Sequence, residues 1–148
     1  MSKSNYVIRV LDTPLRIEAR LWDELLALQA QPTPFMQHAY LAALHRSGSA
    51  VPASGWTPRF LTLWDTAGCL QAACPLYLKS HSRGEYVFDW SWADAHHRHG
   101  RAYYPKAVVA VPFTPVPGSR LLARDAAART ALIEAALDLC REAGCSSL

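Results

Sequence analysis

The chain has few charged side chains and no concentration of either sign. Charged residues make up 18% of its 148 residues, below the usual share of about a quarter. Hydrophobic residues make up 51%, which is enough to build a core. The 15 basic and 12 acidic residues give a net charge of +3 and form no Lys/Arg stripe. We therefore expect a chain of single-domain size that does not bind DNA through its phosphates.

Long hydrophobic runs are also missing. No apolar run approaches the ~18 residues of a membrane span. The first segment, "MSKSNYVIRVLD", lacks the apolar stretch and cleavage site that are typical of a signal peptide. The expected location is the cytoplasm.

The cysteines do not have a zinc-binding pattern. They fall as two C-x4-C pairs, Cys69 with Cys74 and Cys140 with Cys145, a spacing that is unusual for zinc. In a reducing compartment we expect buried thiols that behave as small apolar groups.

The first half of the chain predicts a strand and two helices. "NYVIRVLD" is rich in β-branched residues, and a helical pattern runs from Ile17 until Pro32 stops it. "TPFMQHAYLAALHRSG" predicts one helix, capped by Thr33 and ended by a left-handed Gly48. Its expected buried face is Met36, Ala39, Tyr40, Ala43 and Leu44.

The second half predicts a hairpin, a strand and a helix. "SGSAVPASGWTP" has loop composition, "RFLTLWD" and "CLQAACPLYLKS" form the expected hairpin, and "AVVAVPF" is typical of a strand buried on both faces. The last helix should begin at Asp125 and end at Gly144. Its expected buried residues are Leu132, Ile133, Ala136, Leu137 and Cys140.

This order of elements predicts an α/β (α+β) fold whose sheet is incomplete. The final "CSSL" looks like the start of a further strand. We therefore expect Val108, Val109 and Val111 to lack cover and the sheet edge to be exposed, which favours self-association of the chain.

The segment from Lys79 to Lys106 concentrates rings, carboxylates and imidazoles. Carboxylates beside large rings lose hydration, which raises a carboxyl pKa towards the range useful for a general base. The candidates are Glu85, Asp89 and Asp94, with hydroxyl donors at Tyr86, Tyr103 and Tyr104. In the alternative, Trp90 and Trp92 are core residues and the carboxylates only cap a helix that begins near Asp89 or Ser91.

The basic residues of this region allow two interpretations. Lys79, Arg83, Lys106 and Arg120 could bind phosphates of a substrate, or they could be solvated charges flanking strands. His96, His97 and His99 are interpreted as an exposed polar face, since only His81 or Asp94 could complete a zinc site. We expect no metal.

Three sequence segments carry a family resemblance that runs from about Phe35 to the end. They are "SGSAVPASGWTPRFLTLW", "PLYLKSHSRGEYVFDWSWADA" and "YYPKAVVAVPFTPVPGSRLL". They resemble a bacterial peptidoglycan biosynthesis or recognition family, a FemAB-like branch of the GNAT N-acyltransferase superfamily. The resemblance implies a GNAT-like mixed sheet flanked by helices, truncated after its fourth strand and the following helix. Residues 1–148 would be the N-terminal half of a two-half protein.

The same resemblance implies transfer of an acyl or aminoacyl group to an amine-bearing, cell-wall-related substrate. The donor would be acyl-CoA or aminoacyl-tRNA. The expected pyrophosphate-binding turn is missing, however. "FTPVPGSRLLARD" has only Gly118, and Pro115 and Pro117 remove two N–H donors. The second half of such a two-half protein would then be expected to bind the acyl donor. The alternative is a non-catalytic module that recognises a peptidoglycan precursor or another ligand.

The sequence therefore predicts one site, a substrate-facing lip. Its expected catalytic residues are Glu85, Asp89 and Tyr86. Its expected substrate-binding residues are Lys79, His81, Ser82, Trp90, Trp92, Asp94, Tyr103, Tyr104, Lys106, Thr114 and Arg120.

Overall fold

The computed structural model describes residues 6–148. The strands in this range are β1 (Val7–Leu11), β2 (Trp56–Pro58), β3 (Phe60–Trp64), β4 (Leu70–Cys74), β5 (Leu76–Lys79), β6 (Lys106–Val109) and β7 (Leu122–Ala123). The helices are α1 (Ala19–Ala27), α2 (His38–Arg46), α3 (Trp90–Arg98) and α4 (Ala126–Glu142). Among residues 6–148, none of the helices has the length and apolar character of a membrane-spanning segment.

The strands form two antiparallel sheets, and the α+β class is confirmed. One sheet has the order β1-β3-β4-β7 and the other the order β2-β5-β6. All ladders between the described strands are antiparallel, where the resemblance implied one mixed sheet. The GNAT-like detail stays a prediction.

The predicted hairpin is confirmed, but it is longer than expected and changes sheet halfway. β3 pairs with β4, and β2 pairs with β5. Pro75 separates β4 from β5, since a proline has no N–H for the ladder. The strand β2 lies in a segment predicted to be a loop. That prediction is wrong for its last three residues, which gain their order by pairing with β5.

The four-stranded sheet is covered on both faces. Along β3, Phe60 packs into a cluster with α1 and α2 residues, whereas Leu61 and Leu63 pack into a cluster with α4. This alternation follows the two-residue period of a strand. Trp22 of α1 and Leu132 of α4 are fully buried on the opposite sides.

The helix predicted from Thr33 onward is divided. Pro34–Met36 form a 3-10 turn, and Gln37 is extended before α2 begins. The break shifts the register, so that α2 buries His38, Leu41 and Ala42. The predicted face is therefore wrong at Ala39 and Ala43, which are exposed. Gly48 has the predicted left-handed conformation, with φ of +76°.

Both predicted ends of α4 are confirmed. The Asp125 carboxylate accepts from Ala128 N at 2.7 Å, and Gly144 has φ of +65°. The predicted core face is wrong at Ile133 and Leu137, which are exposed. Small residues explain the difference, because α4 lies on the sheet with a face built around alanines. The buried residues of this face are Ala128, Leu132, Ala135, Ala136 and Cys140.

The strand β6 lies at a sheet edge, so the prediction that it is buried on both faces is wrong. Val108 and Val109 are half-buried. The segment after α4 runs beside the outer edge, where Ser146 N donates to Pro105 O and Ala107 N to Ser147 O at 2.9 Å. It forms hydrogen bonds without forming the expected strand. Val111, expected to lack cover, is buried.

Two of the four cysteines are buried as expected, Cys74 and Cys140. Burial raises the pKa of Cys74 to about 12 and that of Cys140 to about 11. Cys145 is half-buried, and Cys69 is exposed in the turn between β3 and β4, so the prediction is wrong there. A turn residue has no sheet or helix over it.

Candidate functional site

Two buried lysines lie side by side on neighbouring strands. Lys79 of β5 and Lys106 of β6 are register partners in the antiparallel ladder, and both side chains are buried. A buried ammonium group needs charged or polar partners to replace its hydration. Both lysines find them in the connection between β5 and α3.

Lys106 has two carboxylate partners. Its Nζ donates to Glu85 Oε2 at 2.6 Å and to Asp89 Oδ2. Burial alone would lower the pKa of Lys106, but the bonds to Asp89 and Glu85 outweigh burial and raise it. Lys106 is therefore a fixed positive charge in an internal ion pair, and its substrate contact stays a prediction.

Asp89 is held by two donors. Tyr103 OH donates to Asp89 Oδ2 at 2.8 Å, in addition to Lys106. Burial acts to raise the pKa of Asp89, but these hydrogen bonds outweigh it and lower the pKa. The expectation of a raised pKa at Asp89 is therefore wrong. Burial and the bond to Asp89 raise the pKa of Tyr103.

Lys79 has a weaker set of partners. Its Nζ lies 3.6 Å from the centroid of the Trp56 ring and donates to Arg83 O at 2.9 Å. Burial lowers the pKa of Lys79 to about 8, with the charge of Lys106 acting in the same direction and that of Glu85 opposing it. Its ammonium group is therefore held inside the protein by these two contacts.

A second set of bonds holds the start of α3. The Ser82 and Tyr104 hydroxyls are 2.6 Å apart, and Ser82 Oγ accepts from Asp89 N at 3.2 Å. His81 Nδ1 accepts from Arg83 N at 3.1 Å, and its ring packs against Gly55. These three predicted substrate-binding residues position the connection between β5 and α3.

The ion pair borders a cavity of about 350 Å³. Most of its wall is apolar, and two polar atoms in the lining residues are buried without a hydrogen-bond partner among the described residues. They are Glu85 Oε1, an acceptor, and Trp56 Nε1, a donor. The lining residues are Trp56, Gly84, Glu85, Tyr86, Val87, Asp89, Val108, Ala110, Val111, Thr114 and Pro115. This combination is typical of a small-molecule site.

The cavity wall contains a residue with an unfavourable backbone conformation. Phe113 has φ of +60°, rare for a bulky residue, and its N–H donates to Gly84 O at 3.2 Å. Its ring lies 5.6 Å from that of Trp56, centroid to centroid. Gly84 fits tightly there, since an added Cβ would be 2.5 Å from Phe113. Such strain occurs preferentially at binding sites.

The predicted residues divide into those at the cavity and those outside its lining. Glu85, Tyr86, Asp89 and Thr114 line it, and Thr114 also bonds Tyr40 OH at 3.0 Å. Outside the lining are Lys79, His81, Ser82, Trp90, Trp92, Asp94, Tyr103, Tyr104, Lys106 and Arg120.

The alternative interpretation of this segment is confirmed in its helix, which begins at Trp90, but is wrong about the side chains. Trp90 and Trp92 are exposed rather than core residues, and Asp89 precedes α3 without a side-chain capping bond. Glu85 and Asp89 form ion pairs with Lys106 instead.

Arg120 donates to Val116 O in its own loop, and burial lowers the pKa of its guanidinium group.

Sequence reasoning missed Trp56, Gly84 and Phe113. Trp56 was assigned to a loop, and only its pairing with β5 brings the ring over Lys79. The glycine in "SRGEY" was the available signal, because a glycine can mark a left-handed turn or a close approach of the backbone.

The comparisons with known proteins give one result. A profile of the FemAB-like family, described as peptidoglycan biosynthesis/recognition, matches residues 14–148. No curated protein and no solved structure matches the chain. Because the match spans most of its residues, the chain belongs to the FemAB-like peptidoglycan biosynthesis/recognition family.

Proposed function

We propose that the chain takes part in N-acyl transfer to an amine-bearing cell-wall precursor, whose amine binds at Glu85. The observation that carries the proposal is the state of this carboxylate. Lys106 occupies Oε2, and Oε1 is buried without a partner in the described structure, on a residue that lines the cavity. A primary amine is a fitting partner for such an oxygen.

Glu85 then acts as the general base. The amine proton moves to Glu85 Oε1, the nitrogen bonds to the acyl carbon, and the carbon–oxygen or carbon–sulfur bond to the donor breaks. The proton returns to the leaving oxygen or sulfur. Tyr86 lies in the cavity lining and supplies a hydroxyl donor to the developing oxyanion.

Asp89 has a positioning role in this scheme. Its lowered pKa keeps it ionised, and it binds Lys106 and Tyr103 rather than the substrate. Together with Lys106 it fixes the orientation of Glu85. The acyl donor, a thioester such as acyl-CoA or an aminoacyl-tRNA ester, would bind mainly to a second, GNAT-like half.

A second candidate is a non-catalytic module that recognises a cell-wall precursor. The residues at the N-terminus of α4 support it. The N-terminus of this helix would be the natural position for a donor pyrophosphate. There, Asp125 places a carboxylate on Ala128 N at 2.7 Å. A pyrophosphate at this helix end would meet a like charge, which disfavours CoA binding by residues 6–148.

A transfer assay separates the candidates. The full-length protein is supplied with acyl-CoA donors or charged tRNA and a panel of amines, in wild-type and Glu85→Gln forms, with Glu134→Gln on exposed α4 as the matched control. We expect turnover that Glu85→Gln abolishes and Glu134→Gln preserves. Amine binding without turnover by either donor class would favour the recognition module.

A further inference from the structure

The connection into α3 presents an unusual aromatic surface. We define the aromatic segment as residues 86–92. Its exposed side chains are Tyr86 at 82%, Val87 at 67%, Phe88 at 49%, Trp90 at 71% and Trp92 at 67%. Phe88 and Trp90 stack with ring centroids 5.3 Å apart. Large apolar side chains so exposed, and so close together in the chain, indicate an interaction surface.

Basic side chains flank the aromatic segment. Trp92 lines a small groove with His96, His99 and Arg101, and Arg98 and His97 are exposed on the same helix. Arg83 is exposed just before the segment. This arrangement provides positive charge beside the indole rings.

Exposed negative charge is scarce at this surface. Glu85 and Asp89 are largely buried and are paired with Lys106. Asp94 is the exposed carboxylate between Trp90 and Arg98. The surface therefore combines aromatic groups with a net positive field, and its complement is an apolar body with anionic groups.

We infer that the aromatic segment binds the surface of an anionic lipid bilayer. Trp and Tyr side chains prefer the interface between headgroups and acyl chains, and arginines beside them bind anionic headgroups. The exposed arginines beside the rings complement anionic headgroups, which favours a bilayer that contains anionic lipid. This inference is independent of acyl transfer and would hold for a recognition module as well.

Tryptophan fluorescence provides a direct test. Of the five tryptophans, Trp22 and Trp56 are buried and Trp64 is half-buried, whereas Trp90 and Trp92 are the exposed ones. Titration with phosphatidylcholine vesicles containing phosphatidylglycerol should shift the emission to the blue and protect it from acrylamide. Pure phosphatidylcholine vesicles should give little response, and added salt should weaken the binding.

Substitutions test whether vesicle binding depends on the aromatic segment and the arginines beside it. Trp90→Ala with Trp92→Ala should weaken sedimentation with anionic vesicles by about tenfold, since the main interfacial anchors are removed. Leu28→Ala, at an exposed apolar position on another part of the chain, should leave it unchanged. Arg98→Gln with Arg101→Gln should reduce the preference for anionic lipid.

Three results would overturn the inference. The first is an absence of vesicle binding by wild-type chain with a cooperative unfolding transition. The second is equal binding by the double tryptophan variant. The third is a concentration-dependent dimer that the tryptophan substitutions dissociate, because the surface would then join two copies of the chain.

Discussion

Lys106 donates to Glu85 Oε2 at 2.6 Å, and this bond leaves Oε1 of the same carboxylate unpaired within the described structure. Lys106 fixes one oxygen, while the other is buried and unpaired and is the one that the proposal assigns to the amine. The two oxygens therefore have separate roles, structural and chemical.

Removing the ammonium group of Lys106 should destabilise the fold strongly. Lys106→Met leaves Glu85 and Asp89 as neighbouring, poorly hydrated carboxylates, and breaking a buried pair costs about 3 kcal/mol. Urea unfolding measures the loss. Arg141→Met, which breaks an exposed pair with Asp138, should cost less than about 0.5 kcal/mol. Equal losses would show that the Lys106 network contributes no special stability.

Alanine substitution at Gly84 tests the packing around the cavity. Gly84 and Gly68 have nearly the same φ, +83° and +80°, but an added Cβ meets Phe113 and Trp56 only at Gly84. Gly68→Ala should cost about 1 kcal/mol from backbone strain alone, and Gly84→Ala should cost at least about 1 kcal/mol more. Urea midpoints compare them. Equal costs would show that the cavity wall yields easily.

Features of this site that depend on neighbouring residues in the chain could be predicted, whereas those that depend on contacts between distant strands could not. Residues 79–106 stood out by composition, and the helix beginning near Asp89 follows from local pattern. The contact between Lys79 and Trp56 depends on β2–β5 pairing, and the meeting of Lys106 with Glu85 depends on β5–β6 register. Composition cannot show such long-range placement. The sequence therefore predicts the segment that forms the site, but not which of its carboxylates has an unpaired oxygen.

The fold shows the same limit. Caps and stops, such as Asp125 and Gly144, are local and were predicted correctly. The face of α2 depends on the break at Gln37, where a proline-initiated turn ends. The exposure of Ile133 depends on which apolar face of α4 packs against the sheet, and this is decided by tertiary packing rather than by local sequence.

Lys79 should make stability increase with pH above neutrality. Its pKa of about 8 lies below the ordinary value of 10.5, so from pH 8 to 10.5 the unfolded chain binds more protons than the folded one. The free energy of unfolding contributed by this group therefore rises through that window. We expect wild type to gain stability relative to Lys79→Met between pH 7.5 and 9 in urea titrations. A constant difference would contradict the lowered pKa.

Asp89 should contribute in acid, where stability again rises with pH. Its pKa is lowered in the folded state, so its stabilisation is present above the ordinary value of 3.8 and is lost as pH falls through the lower folded value. Asp89→Asn should therefore be less stable than wild type at pH 6, with the difference shrinking towards pH 2. Thermal unfolding across this range measures it. A difference that grows in acid would contradict the assignment.

The central claim, that Glu85 binds an amine in the cavity, is tested most directly by the indole signal of Trp56. The indole N–H groups of Trp22 and Trp64 are already bonded, to Met36 O and Thr62 Oγ1, whereas that of Trp56 is unpaired in the described structure. Nuclear magnetic resonance titration compares n-butylamine with n-butanol in wild-type and Glu85→Gln chains. The account predicts a saturable shift of the Trp56 signal with butylamine, little shift with butanol, and loss of the amine response in Glu85→Gln. Equal shifts with amine and alcohol, or an undiminished amine response in Glu85→Gln, would contradict it.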